Sequence, residues 1–448
     1  MKIKVLHLDP TQYAVKKAGD RQPIVRNPGK VSANHKHVEY MRALAAAKLD
    51  RMFAKPFMAA LDGHVDSINV LARSRSLLAP VVSGSADGGI AFWDIPTRTC
   101  AASVSPSTCA VTGLVISNDN RVVYSVGADK TIRAWKLDST NASPSGELLL
   151  SLDGSSSFNA VDHHYGADQI VTSCSQGTID LWEVFRSNTP IQSYQWGDSN
   201  VLACRFHPSE RNLLAATMGD NAVGLFDTRA SSGVQKIYLK NKSNAVSWNP
   251  RNPFLFALAN DDGNIYQMDM RKVGNGARPI VRMHTGHVQA VLDVDYSPLG
   301  TELVSGGYDK TVRIFSLESQ KAREIFHTKR MQRVGAVRWT GDGRFILSGS
   351  EDTNIRIWKA NASEKLGMVE GKEKRALEYR KSLIERYENV PEVGRIAHNR
   401  RIPKWVKNEG KRRSDHFESK KIASANTAKS SNVAERTTLE KPIRKIEQ

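Results

Sequence analysis

The chain has 448 residues, 40% hydrophobic and 7% aromatic, which supplies enough apolar surface to offset the entropy of ordering and excludes full-length disorder. Its formal charge of +18 lies outside the middle: residues 1–60 hold 12 Lys and Arg against 4 Asp and Glu, residues 361–448 hold 22 against 13, and residues 61–360 are left at +1. No run of about 18 apolar residues occurs, the start Met1-Lys2-Ile3-Lys4-Val5 lacks the apolar stretch of a secretory leader, and the four cysteines form no C-x-x-C pair, so secretion, a membrane partner, a zinc knuckle and a disulfide framework are not expected.

In chain order, residues 1–30 carry Pro10, Pro23 and Pro28 among scattered Lys and Arg, the composition of an extended basic arm. Val38 to Phe53 is rich in helix formers, with apolar Met41, Leu44, Leu49 and Met52, and predicts a helix that packs on the folded body or on a partner. Residues 1–56 are thus read as a basic arm and helix, 57–360 as the folded body, and 361–448 as a basic extension.

The body is organised by a repeat. A turn residue recurs as Asp87, Asp129, Gln176, Asp220, Asp262, Asp309 and Asp352, at intervals of 42, 47, 44, 42, 47 and 43 residues. Three positions later stands Ile or Val in every unit, and six positions later Trp93, Trp135, Trp182, Phe226, Met268, Phe315 or Trp358. Each unit predicts a hairpin whose strand after the turn is buried on both faces, as in a four-stranded blade between neighbours. Small-residue strands precede the turns, and Gly63-His64 and Gly286-His287 stand upstream.

These residues resemble the WD-repeat family, which implies an all-β, seven-bladed propeller. It also implies a buried network of His64, Ser83, Asp87 and Trp93 in blade one, and of His287, Ser305 and Asp309 in blade six, where Phe315 ends the chain of bonds. Repetition of His and Asp at equivalent positions favours this structural role over metal ligation or acid–base work. His163-His164 reads as a strand surface pair, and Cys100, Cys109, Cys174 and Cys204 as reduced, buried small residues. No metal-ligand spacing, nucleophile arrangement or phosphate loop is visible, so neither enzymatic activity nor a cofactor nor a small-molecule substrate is expected. The last unit lacks an outer strand, and Phe57 to Leu61 is expected to supply it and fasten the ring.

After the body, Lys372 to Asn389 has helical period with Ala376, Tyr379, Leu383 and Tyr387 in one stripe, stopped by Pro391. Arg400, Arg401, Lys404, Trp405 and Lys407 follow, with Lys411, Arg412 and Arg413 beyond them. This basic set with one aromatic suits contact with RNA or a partner, and Trp405 serves equally well as an anchor of the tail to the ring. Beyond Ala423 the chain is polar and is expected to order only in a complex.

The flanks narrow the family. The segment Arg42-Ala43-Leu44 to Pro56-Phe57, the segment Arg386-Tyr387 to Ile396-Ala397, and Arg401-Ile402-Pro403-Lys404 together resemble the suppressor-of-fibrillarin (Sof) family of WD-repeat proteins. That resemblance implies a scaffold of the nucleolar small-subunit processome. Its expected partners are processome proteins, a small nucleolar ribonucleoprotein and, through the basic extensions, pre-rRNA. The implied location is the nucleus and nucleolus. The polar stretch Ala423 to Glu440 departs from the family pattern. A second expectation rests on Asp-x-Arg at the end of a blade strand, by which some WD-repeat proteins join a cullin-ligase adaptor as substrate receptors. Asp227 with Arg229, and Asp269 with Arg271, place Arg nine positions after the turn in two adjacent units and in no other.

Overall fold

The computed structural model describes residues 35–78, 80–106, 108–137, 146–230, 233–273, 279–430 and 443–447, so the N-terminal arm lies outside the described residues. It divides into a helical unit and a strand-built unit.

The strand-built unit is the seven-bladed propeller that the repeat predicted: seven antiparallel sheets, each of at least four strands. The first strands of the blades, Ile68–Arg73, Val111–Ile116, Phe158–His163, Val201–Phe206, Ser243–Trp248, Val291–Tyr296 and Val334–Trp339, neighbour one another in a closed circle around the axis. Second strands such as Val81–Ser85 are buried along their whole length because a blade lies on either side. Gly84 marks how close that approach is, since a Cβ there would stand 2.7 Å from Val111 Cγ1 of the next blade.

The residue after each turn residue adopts a left-handed backbone: Gly88, Lys130, Gly177, Asn221, Gly263, Lys310 and Thr353 have φ between 57° and 87°. Glycine and asparagine take this conformation readily, whereas the β-branched Thr353 is strained there.

Phe57–Leu61 pairs antiparallel with Ile355–Lys359 in the register Phe57 with Trp358 and Leu61 with Ile355, giving blade seven its fourth strand. Leu61 is buried in a cluster with Ile355, Ile357 and Trp93, so the closing strand carries core as well as hydrogen bonds. At blade four, Ile443–Glu447 adds a fifth strand alongside Gly233–Leu239.

The helical unit consists of α1 (His35–Met52), α2 (Gly371–Arg386) and α3 (Pro391–Ala397). Its core is Ala43 and Ala47 of α1 against Leu383 and Val393, with Tyr40, Leu44, Ile384 and Tyr387 around them. Tyr387 donates to Glu39 at 3.1 Å, and Tyr40 donates to Glu392. Alanines let the helices approach closely, and the larger Met41 and Met52 remain exposed. A fourth helix, α4 (Lys404–Ser430), belongs to the propeller unit. It carries helical structure past Ala423, where an unordered tail was expected; residues 431–442 lie outside the described residues. The cysteines also differ from expectation: Cys174 and Cys204 are buried, but Cys100, on the outer strand Thr99–Val104, and Cys109, in the connection before Val111–Ile116, are exposed. No described helix is long and apolar enough to cross a membrane.

Candidate functional site

First and third strands of a blade run in the same direction, so both end on one face of the ring, while the tight turns lie on the other. The predicted residues divide between these faces.

On the turn face, Ser83 Oγ meets His64 Nε2 at 2.5 Å and accepts from Trp93 Nε1 at 2.7 Å. Asp87 stands outside that chain of bonds: its Oδ1 accepts from Gly89 N at 2.9 Å and closes the turn. Blade six differs, with His287 bridging Ser305 (2.7 Å) and Asp309 (2.9 Å). Asp309 also accepts from Thr311 Oγ1 at 2.7 Å and Arg313 at 3.2 Å. Burial alone would raise the Asp309 pKa, but His287, Arg313 and Thr311 outweigh it and hold the carboxyl well below its usual range. Burial lowers that of His287. An Arg four residues after the turn Asp, outside the repeat positions noted above, pairs with it in blades two, six and seven as Arg133, Arg313 and Arg356.

His163-His164 is not a surface pair. Both rings are buried, and His164 accepts from Gly166 N and Ala167 N while its Nε2 meets Arg211 O of the next blade at 2.8 Å. His207 repeats the arrangement one blade on, reaching Pro253 O at 2.9 Å. Among the described residues no group of His, Cys, Asp and Glu is placed to hold a metal ion.

On the strand-end face, the two Asp-x-Arg pairs have the same geometry. Arg229 donates Nε and Nη2 to Asp227 at 3.2 and 2.8 Å, and its own backbone N–H at 3.0 Å. Arg271 does the same to Asp269 at 3.1, 3.0 and 3.0 Å, and lies over the Phe254 ring at 4.3 Å. The side chains of Arg229 and Arg271 are 74% and 57% exposed, so two forked guanidiniums stand at the rims of adjacent blades. The Arg229 and Arg271 hydrogen bonds depress the pKa of Asp227 and Asp269, keeping both pairs ionised.

The same face contains the mouth of the central channel, a cavity of about 150 Å³. It is ringed by the penultimate residue of every first strand: Ala72, Val115, Asp162, Arg205, Ser247, Asp295 and Arg338. Asp162 accepts from Arg75 (3.1 Å), Arg205 (3.3 Å) and Phe206 N (2.8 Å). Asp293 accepts from Arg338 (2.6 Å) and Val337 N (2.9 Å), and Asp295 from Trp339 N (2.9 Å). These carboxylates therefore tie the first strand of blade three to that of blade four, and the first strand of blade six to that of blade seven. Sequence reading missed them, although each ring position lies 14 or 15 residues before its turn residue.

The basic C-terminal set lies mainly on α4, which rests on the turn face. Arg413 donates to Val288 O at 3.1 Å and to Asp262 O. Val406 is buried while Trp405 is 39% exposed, so Val406 and Arg413 do the anchoring that Trp405 was a candidate for. Arg401, Lys404, Lys407, Lys411 and Arg412 are exposed and Arg400 is half-buried.

Comparison with known proteins bears on both expectations. A Sof1-like domain matches residues 360–445, and the WD domain, G-beta repeat, matches residues 98–136, 279–316 and 323–359. The chain is 40% identical to "DDB1- and CUL4-associated factor 13" of Xenopus laevis over 91% of its own length and 90% of that protein's. Proteins of the same name from Homo sapiens (38%) and Dictyostelium discoideum (40%) match over the same shares. This corrects the leading functional expectation: relatives matching 91% of the chain are named for association with DDB1 and CUL4, not for a processome scaffold. That expectation leaned on flank motifs that resemble the Sof family, and membership of a WD-repeat family does not by itself fix a function. With such identity spanning blades and C-terminal domain alike, the chain belongs to the Sof family of WD-repeat proteins.

Proposed function

We propose that the chain is a substrate receptor of a cullin-RING ubiquitin ligase, joined to a DDB1-type adaptor through Arg229 and Arg271. The observation that carries this reading is the pair of identical Asp-x-Arg forks, solvent-facing, on adjacent blades of one face. Each guanidinium is already oriented by its own Asp, so little side-chain freedom remains to be lost on docking, and Arg is enriched among residues that dominate interface energy. The names of the whole-length relatives support the same reading.

The test is co-precipitation of adaptor with full-length wild type and the R229A/R271A variant. A drop of at least tenfold in captured adaptor, about 1.4 kcal/mol, with an unchanged melting temperature, is the expected result. Equal capture by the variant refutes the assignment.

A further inference from the structure

The channel mouth holds more positive charge and more hydrogen-bond donors than its own carboxylates use. Four arginines line it, Arg73, Arg75, Arg205 and Arg338, against Asp162 and Asp295, with Asp293 just behind. The acceptors are committed: Asp162 Oδ2, Asp293 Oδ2 and Asp295 Oδ2 each bind a backbone N–H of the following blade. A guanidinium has five N–H donors. Arg205 turns only Nη1 toward Asp162. Among the described residues Arg338 donates only from Nη1, to Asp293 and Val337 O. Arg75 donates Nη2 to Asp162 and to His163 O, lies over the Tyr165 ring at 3.8 Å, and leaves Nη1 buried without a partner among the described residues. A buried donor left unsatisfied is destabilising, because it has lost water without gaining another acceptor.

We infer that the channel mouth is a binding site for a phosphate group, taken by Arg73, Arg75, Arg205 and Arg338. The side chains of Arg75, Arg205 and Arg338 are 23%, 30% and 13% exposed, so they are reachable from solvent yet poorly hydrated, the setting in which charge-assisted bonds are strongest. Guanidinium forks match phosphate oxygens in pairs, and a tetrahedral oxyanion accepts from several at once. The carboxylates hold the forks in place through the inter-blade bonds, so the site is ordered before the anion arrives. The phosphate either comes free from solution or is borne by a phosphorylated side chain of another protein. In the second case the site reads a substrate, and that step rests on the receptor function proposed above.

The experiment measures melting temperature and calorimetric binding of the full chain with inorganic phosphate, against chloride at equal ionic strength. It is repeated with a phosphoserine peptide and its unphosphorylated twin. Phosphate is expected to raise the melting temperature in a saturable way, and R73A and R205A to weaken binding at least tenfold while R229A/R271A leaves it intact. A tenfold preference for the phosphoserine peptide over its twin assigns the group to a protein. Phosphate binding without that preference assigns it to a free anion, and either result supports the site. R73A removes no hydrogen bond among the described residues and decides the matter even where R205A fails to fold. No phosphate-specific response in wild type, or a response that survives in R73A, overturns the inference. Adaptor capture reads the other pair of arginines, so loss of one reading does not entail loss of the other.

Discussion

Asp309→Ala removes the carboxylate at the centre of the blade-six network. Asp309 is fully buried, and its partner Arg313 is 4% exposed at the side chain, so the variant leaves a charged guanidinium in the interior with no counter-ion. Breaking one side of a buried pair costs about 3–5 kcal/mol. At roughly 2–4 °C per kcal/mol for a large domain, the melting temperature should fall by about 10 °C. The comparison is Asp227→Ala, where Arg229 is 74% exposed and the loss should stay near 0–1 kcal/mol. D309A/R313M should recover much of the deficit, because replacing both partners by apolar side chains is often neutral. Thermal and urea unfolding, followed by tryptophan fluorescence, measure all three. If D309A melts within about 2 °C of wild type, or D309A/R313M is no better than D309A, the buried-charge account is wrong; a 2 °C shift corresponds to under about 1 kcal/mol.

Ser125→Ala strands the buried Trp135 Nε1, which donates to that hydroxyl at 2.8 Å, and should cost about 1–3 kcal/mol in urea unfolding; Ser83→Ala, losing both His64 and Trp93, should cost more. Thr353→Gly relieves a β-branched residue at φ 69° and should raise stability by about 1 kcal/mol in the same assay. Leu383→Ala empties the centre of the helical unit and should lower its stability by about 2–5 kcal/mol, read as faster limited proteolysis within α1 and α2. Burial lowers the pKa of His163, His207, His284 and His287, so below about 6.5 the unfolded chain binds more protons than the folded one. Their contribution to stability is whole above that pH and falls away as pH drops, so the melting temperature should decline from pH 7 to 5. A flat profile counts against neutral burial of these rings.

The repeat was legible because its signals are local: a turn pair, an apolar residue three positions on and an aromatic six positions on all lie within one hairpin. The Asp-x-Arg pairs were visible for the same reason. The channel ring was not, since Asp162, Arg205, Ser247, Asp295 and Arg338 share a register but no residue type, and only alignment on the turns brings them together. The helical unit was half legible. Periodicity found α1 and α2, but it weighted Met41, Leu49 and Met52, whereas the core is made by Ala43 and Ala47 against side chains some 340 positions away. Pairing at that distance leaves no trace in a local pattern. Asp87 shows the converse error: family resemblance put it in the network, and the turn beside it claimed its carboxylate.

The closing strand has a consequence for how the protein is made. Phe57–Leu61 leaves the ribosome about 300 residues ahead of its partner Ile355–Lys359, an interval of roughly 15–60 s at 5–20 residues per second. Throughout that time blade one has no seventh neighbour and Phe57–Leu61 has no strand to join. The nascent chain thus carries an open apolar edge throughout that interval, and such an edge is open to pairing with another chain. The α1 helix waits longer still, since the Leu383 and Val393 side chains that cover Ala43 and Ala47 are made only after the ring is complete.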